Sequence, residues 1–338
     1  MAEYLVLNYI LHFQSIKYDP MKRREFIHAA ALGSLALSIP QVRAFGSNWS
    51  NNFELPKRVL GRTGERVSTI AFGGIMLNDH SPEFAKEIVS KAIELGVTYF
   101  DVAPSYGNAE AKLGPALKPY RKNCFLACKT HERVSEGAEK TLNQSLTYLE
   151  TDYFDLFQLH AITTRDDVEK AFAPGGAMEV IEKAKRDGKI RYVGFSAHSV
   201  EAALLAMEKY DFDTAMFPLN FACWNAGDFG PQIYEKALSR NMGVIALKAM
   251  ALTANKPGQE KYDKNVWYQP VTDEETMKLA LKFTLSKEIA TAIPPGKSTL
   301  FLKAIEFMKD YKPITPLESE KLMALAAQTP PLFANKYS

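Results

Sequence analysis

The sequence predicts an α/β fold, a (β/α)8 TIM barrel with an N-terminal β-hairpin ahead of it. Two observations carry that expectation. Short apolar runs rich in Val, Ile, Phe and Leu end near Gly74, Asp101, Lys129, His160, Ser196, Asn220, Lys248 and Pro294, which makes eight. Each is apolar on both faces, as strands of a parallel sheet covered on both sides are. Helical patterns alternate with these runs over about 290 residues, close to the ~250 plus insertions of such barrels. A doubly wound open sheet is the alternative. No Gly-x-Gly-x-x-Gly follows the first run, and Phe72-Gly73-Gly74 does not replace it.

Taken in order, the elements have legible ends. Arg58 to Val67 places Thr63-Gly64 between two short runs, the pattern of a hairpin. Ser81 as N-cap and Pro82 at the first helical position open a helix with Ile88, Ala92 and Leu95 on one face, and Gly96 stops it. Ser135 opens a second with Leu142, Leu146 and Leu149 aligned. Met178, Ile181 and Ala184 mark a third, closed by Gly188; Ser199 caps a fourth, and Asp273 to Lys287 forms one before the last strand. No linker divides the barrel.

Ahead of the barrel the chain reads as an export leader. Met21-Lys-Arg-Arg-Glu-Phe-Ile-His is basic, Ala29 to Ile39 is mildly apolar, and Val42-Arg43-Ala44 follows Pro40. A basic segment, a short apolar segment and a small-x-small site are the marks of a signal peptide, and Arg23-Arg24 followed by Phe26 resembles the twin-arginine kind. The division expected is therefore an extension or mis-assigned start over 1–20, a twin-arginine-type signal over 21–44, and the barrel over 45–338. This places the mature protein in the periplasm, or in the cytoplasm where the signal does not function. The apolar run is shorter than the roughly 20 residues that span a bilayer.

A net charge of +2 with scattered basic residues gives no support to a nucleic-acid groove. The three cysteines, Cys124, Cys128 and Cys223, lack the spacing of a disulfide framework, a zinc site or an iron-sulfur cluster, and read as small buried hydrophobes.

In a barrel, residues at strand carboxyl ends share one rim, where ligands bind. Asp101, Lys129, His160 and Ser196 fall there, with Tyr106 and His131 just beyond their strands. A carboxylate ending an apolar strand is costly unless something pairs with it, and Lys129 answers that need. Together these groups suit proton donation to a carbonyl. A phenol has an ordinary pKa of about 10, high for a general acid at neutral pH. An adjacent ammonium would lower it, and a carboxylate would keep that ammonium charged and in place. An imidazole facing the same point would orient the oxygen or help pass the proton. Nothing points to a metal site or an activated serine or cysteine, so the carbanion or hydride would have to come from a cofactor.

From Lys57 to the carboxyl terminus the sequence closely resembles the aldo-keto reductase family. The shared pieces are Asp101 to Gly107, Lys129, His160 within Asp155-Leu-Phe-Gln-Leu-His, Gly188-Lys-Ile-Arg-Tyr-Val-Gly-Phe-Ser196, Pro218-Leu-Asn220 and Ile293-Pro294. The resemblance implies a catalytic tetrad of Asp101, Tyr106, Lys129 and His160. It also implies hydride transfer from NADPH, with NADH as the alternate donor, to a small aldehyde or ketone. It further implies cofactor contacts at Ser196 and Asn220, with Gly296, Lys297, Ser298, Lys303 and Glu306 around the adenosine-phosphate end; Lys248, at the rim with no counterpart role in the family, is a further cofactor-binding candidate. Lys297 and Lys303 would give charge to a 2'-phosphate.

The sequence departs from the family around the nicotinamide. Ser196-Ala197-His198 replaces Ser-Asn, Met216 stands where glutamine is common, and Leu247-Lys248-Ala249-Met250 replaces an aromatic-Ser-Pro-Leu run. Ile293-Pro294-Pro295-Gly296 resembles a short-form branch of the family. Two functions follow, an NADPH-dependent carbonyl reductase and a cofactor-binding or regulatory barrel without turnover. Substrate choice falls to aromatic-bearing loops, Cys223-Trp224-Asn225, Thr253 to Val271 with Trp267 and Tyr268, and the tail around Phe333. For the leader, replacing Arg23 and Arg24 together by lysine should leave the protein in the cytoplasm. Unchanged cell fractionation would show that this segment is not a twin-arginine signal.

Overall fold

A computed structural model describes residues 53–335 of the chain. The expected extension over 1–20 and signal over 21–44 lie outside them. The described residues form the expected barrel. Its eight parallel strands are β3 (Phe72–Gly73), β4 (Tyr99–Asp101), β5 (Phe125–Thr130), β6 (Phe154–Ile162), β7 (Ile190–Ala197), β8 (Thr214–Pro218), β9 (Gly243–Leu247) and β12 (Thr291–Ile293), hydrogen-bonded in that order. The ring closes through a parallel bridge between Ile70 and Ala292, with Ala71 N donating to Ala292 O and Ala292 N to Thr69 O, both at 2.9 Å.

The anticipated hairpin is present as β1 (Lys57–Val59) paired antiparallel with β2 (Arg66–Ser68). Leu60 and Val67 from this hairpin join Tyr99, Phe125, Leu156, Met216 and Ile245 in the apolar filling of the barrel. The hairpin therefore plugs the end opposite the rim. That end is also held electrostatically, because Asp155 at the start of β6 accepts from Arg121 at 2.9 Å and Arg191 at 2.6 Å.

Helices cover the outside, and their starts follow the side-chain chemistry. Ser81 Oγ accepts from Phe84 N ahead of the helix Pro82–Glu94. Asp273 and Ser199 cap the helices Glu274–Leu285 and Val200–Lys209 in the same way. Thr164 with Asp167, and Thr315 with Glu318, form complete capping boxes for Arg165–Phe172 and Pro316–Ala327. The second expected helix is Ser135–Tyr148, whose N-cap is Val134, so Ser135 is its first residue rather than its cap. The loop expected between Thr253 and Val271 is different: β10 (Ala251–Ala254) and β11 (Tyr268–Pro270) pair antiparallel and carry Trp267 over the rim. All three cysteines are free and buried, and burial pushes the Cys124 thiol up to about 12.

The hairpin turn has a strict steric demand. Gly61 sits at φ +50, and a Cβ there would lie 2.2 Å from Gly243 N and 2.4 Å from Met242 C. Gly61→Ala should therefore destabilise the fold by about 2–4 kcal/mol, from overpacking and a positive φ together. A urea midpoint equal to wild type would show that the plug has slack.

Candidate active site

The ends of β4, β5 and β6 and the turn after β4 build the site. Asp101 ends β4 and Lys129 lies in β5, both essentially inaccessible to water at 2% and 1% exposure. Lys129 Nζ donates to Asp101 Oδ2 in a short ion pair, to Val102 O at 3.2 Å, and lies 3.5 Å from Tyr106 Oη. The turn after β4 brings the phenol back: Tyr106 N donates to Ala103 O at 3.0 Å and Ala109 N to Tyr106 O at 3.1 Å. Three of the expected residues thus meet around one ammonium.

His160 completes the group. The pairing of β6 with β7 breaks after Leu159, and Ala161 takes φ +51, unusual for a residue with a Cβ. Ala161 N donates to Ser196 Oγ at 2.7 Å and Arg133 Nη2 to His160 O at 2.7 Å, so the irregular strand end is held on both sides. The His160 ring then lies edge-on to Tyr106, centroids 5.8 Å apart, and 3.8 Å from the His131 ring. Ser105 Oγ is 3.5 Å from its Nδ1.

Proton affinities follow from burial and these neighbours. Burial opposes the Lys129 ammonium, but Asp101 and Tyr106 outweigh it and hold the lysine above its ordinary range. Burial lifts the Asp101 carboxyl in spite of Lys129. For Tyr106 the expectation needs correcting. Lys129 does pull the phenol down, but burial is the larger effect and the net direction is up. Tyr106 is therefore an un-ionised phenol at neutral pH. Burial, with Lys129, His131, His198 and Lys248 adding to it, keeps His160 far below its usual range and neutral.

The other expected residues separate into two groups. Lys248 and Gly296 line a cavity of about 310 Å³ together with Asp101, Tyr106, Trp267, Tyr268 and Pro294. A Cβ on Gly296 would meet Ile75 Cγ2 at 2.6 Å and Asn265 O at 2.9 Å, so only glycine fits that wall. Asn220 is buried and its Oδ1 caps the helix Phe221–Asn225 through Cys223 N, whereas its Nδ2 has no hydrogen-bond partner among the described residues. Ser196 Oγ accepts from Ala161 N, which leaves its own O–H to donate. Lys297 and Ser298 stand at the start of the helix Ser298–Phe307, with Lys297 3.5 Å from Asp263 and over the Tyr262 ring. Lys303 is already paired with Glu274 at 3.0 Å and with Glu306 at 3.2 Å, which leaves it a weaker anion receptor than expected.

Sequence reasoning missed roles for Ser105, Arg133 and His198. Nothing in their local sequence signals them, since each acts through a contact at least 27 positions away.

A model of the Aldo/keto reductase family matches residues 69–298. The chain belongs to that family. Among curated proteins it is similar to the uncharacterized oxidoreductase YqkF of Bacillus subtilis (strain 168), 34% identical over 155 residues, which is 42% of this chain and 48% of that protein. It is also similar to L-galactose dehydrogenase of Arabidopsis thaliana, 25% identical over 213 residues, 58% of this chain and 65% of that one. The chain thus spans between about half and two thirds of the length of these relatives. The structure of aldo-keto reductase AKR11C1 from Bacillus halodurans, holo form, superposes with a TM-score of 0.67 at 22% identity, covering 84% of this chain and 99% of that one. That likeness is one of fold. The β1–β2 hairpin and the β3-to-β12 ring are the frame on which this family member carries its rim.

One buried imidazole, His160, and one half-buried, His198, give the rim a pH signature. His160 and His198 are both held neutral, His198 down to about 2. An unfolded imidazole titrates near about 6.5. Below that pH the unfolded chain binds protons that the fold refuses, so this stability is present above about pH 6.5 and is lost as pH falls. The slope approaches about 1.4 kcal/mol per pH unit for each group. His198→Gln should show a smaller fall in urea midpoint than wild type between pH 7.5 and 5.5; equal falls would remove His198 from the account.

Proposed function

We propose that the protein reduces the carbonyl group of a small aldehyde or ketone, with Tyr106 as proton donor and NADPH, or NADH as the alternate, as hydride donor. The observation that carries this reading is the Lys129 ammonium, paired with Asp101 and 3.5 Å from the Tyr106 hydroxyl, beside an open cavity.

The residues present fit a nicotinamide cofactor. The unpartnered Asn220 Nδ2 is a buried donor of the kind a carboxamide oxygen would take up. The first turn of Ser298–Phe307 has backbone N–H groups without intrahelical acceptors, a natural cradle for phosphate, with Lys297 beside it. When bound, the cofactor supplies the hydride. Tyr106 holds its proton because burial keeps it neutral, and releases it to the carbonyl oxygen as charge develops there. Lys129 then stabilises the phenolate. Asp101 keeps Lys129 charged and fixed. The neutral His160 offers a hydrogen bond to the carbonyl oxygen rather than a proton from an imidazolium.

A second reading, a cofactor-binding barrel without turnover, has one specific observation behind it. Leu247 lines the cavity where an aromatic ring would otherwise support the nicotinamide. Fluorescence titration with NADPH, followed by a generic aldehyde assay, separates the two. Saturable binding with turnover is expected, and Tyr106→Phe should cut turnover by about 10²–10⁴-fold while leaving NADPH binding in place. Wild-type rates in Tyr106→Phe would refute the role of the phenol, and binding without any turnover would favour the second reading.

A further inference from the structure

We propose that Lys248, set beside His198 and beneath Trp267 and Phe333, is the receptor for the acidic group of an anionic carbonyl substrate, a carboxylate or a phosphate. The inference rests on the reductase reading above and narrows its substrate class.

Lys248 is the first residue beyond β9 and turns into the rim at φ +58, a backbone conformation that residues with a Cβ rarely adopt. It makes no ion pair among the described residues. Its Nζ has His198 Nε2 at 3.3 Å, the Trp267 ring at 5.4 Å and the Phe333 ring at 5.6 Å. The Phe333 ring stacks on His198 at 4.8 Å and closes the cage. His198 stays neutral, so it accepts from the ammonium and brings no charge of its own. Three N–H groups on a lysine with one acceptor leave two for a ligand.

Lys264, the other lysine lining this cavity, is exposed to water and donates to Asp79 O at 3.1 Å. Nearby, Lys129 is neutralised by Asp101 and Lys297 lies 3.5 Å from Asp263. Lys248 differs from all three: it is half-buried among His198, Trp267 and Phe333, with no counter-ion among the described residues. The titratable groups that face it are His198, the buried Cys223 thiol on the helix Phe221–Asn225, and Lys129 on β5, with no carboxylate among them. Burial, with Lys129 adding to it, brings Lys248 down to about 8. An incoming anion would supply the missing counter-charge at this half-buried, aromatic-lined site through a charge-assisted hydrogen bond.

Position ties this anion to the reacting molecule. Lys248, Asp101 and Tyr106 line the same cavity, and the field of Lys248 reaches His160. The part of the cofactor that must approach the tetrad is the uncharged carboxamide-bearing ring region, whereas its phosphates suit Lys297 and the helix start. An anion beside Lys248 therefore belongs to the molecule whose carbonyl meets Tyr106.

The test compares matched carbonyls, 4-oxobutanoate against its methyl ester and glyceraldehyde 3-phosphate against glyceraldehyde, by kcat/KM. Wild type should prefer at least one acid by about ten-fold or more, as a charge-assisted hydrogen bond implies, and the preference should fade as pH rises through about 8. The acid that shows it separates carboxylate from phosphate. Lys248→Met should collapse the ratio, and Lys248→Arg should restore part of it. A second readout needs no turnover: Trp267 emission titrated with succinate and with inorganic phosphate, using Trp267→Phe as control, should respond saturably in wild type and not in Lys248→Met. Failure of the reductase reading would appear as no reduction of any carbonyl with this response intact. An equal ratio in wild type and Lys248→Met would overturn the inference, as would weakened NADPH binding in Lys248→Met with the ratio preserved. So would the lack of both a preference and an emission response in wild type.

Discussion

The rim is organised by one buried ion pair. Asp101 and Lys129 are both removed from water at the top of the barrel, a position in which each charge alone would cost several kcal/mol. Their pairing depends on strand register. Asp101 lies level with Ala127 on β5, so Lys129 is two residues further along, on the same face, and reaches back. A one-residue slip would turn the lysine to the other face of the sheet. Once the pair exists, the ammonium has hydrogen-bonding capacity left over, and the chain after β4 supplies it with Val102 O and the Tyr106 hydroxyl. The loop is thus drawn in by the same cation that serves the phenol.

Much of this was legible in the sequence because it is anomalous there. A charge at the end of an apolar run needs a partner, and three such runs end in Asp101, Lys129 and His160. Helix starts at Ser81, Ser199 and Asp273 were legible for another local reason, a cap followed by an apolar face. What escaped was set by distance or by depth. The β10–β11 hairpin is too short, and its strands too far apart in the chain, to show an alternating pattern. Ser196 has a second task the sequence did not show: its Oγ accepts from Ala161 N, a need created only by the break in β6. The direction of the Tyr106 shift turned on burial, which the residue types alone do not reveal.

The two lysines at the rim show how much one carboxylate decides. Lys129 and Lys248 both lose hydration, and burial opposes the ammonium in each. Lys129 has Asp101 and is raised; Lys248 has a neutral imidazole and aromatic rings, and falls to about 8. The first is fixed and committed to the phenol. The second keeps an unmet demand for negative charge. His160 lies within the field of both, which helps to explain why it remains an uncharged hydrogen-bonding ring. Burial first, and the two nearby ammoniums after it, keep His160 uncharged, which supports the proposal that the proton for the carbonyl comes from Tyr106. The division of labour proposed for this rim, with one lysine for proton transfer and one for recognition, would then follow from where the chain places a carboxylate and where it does not.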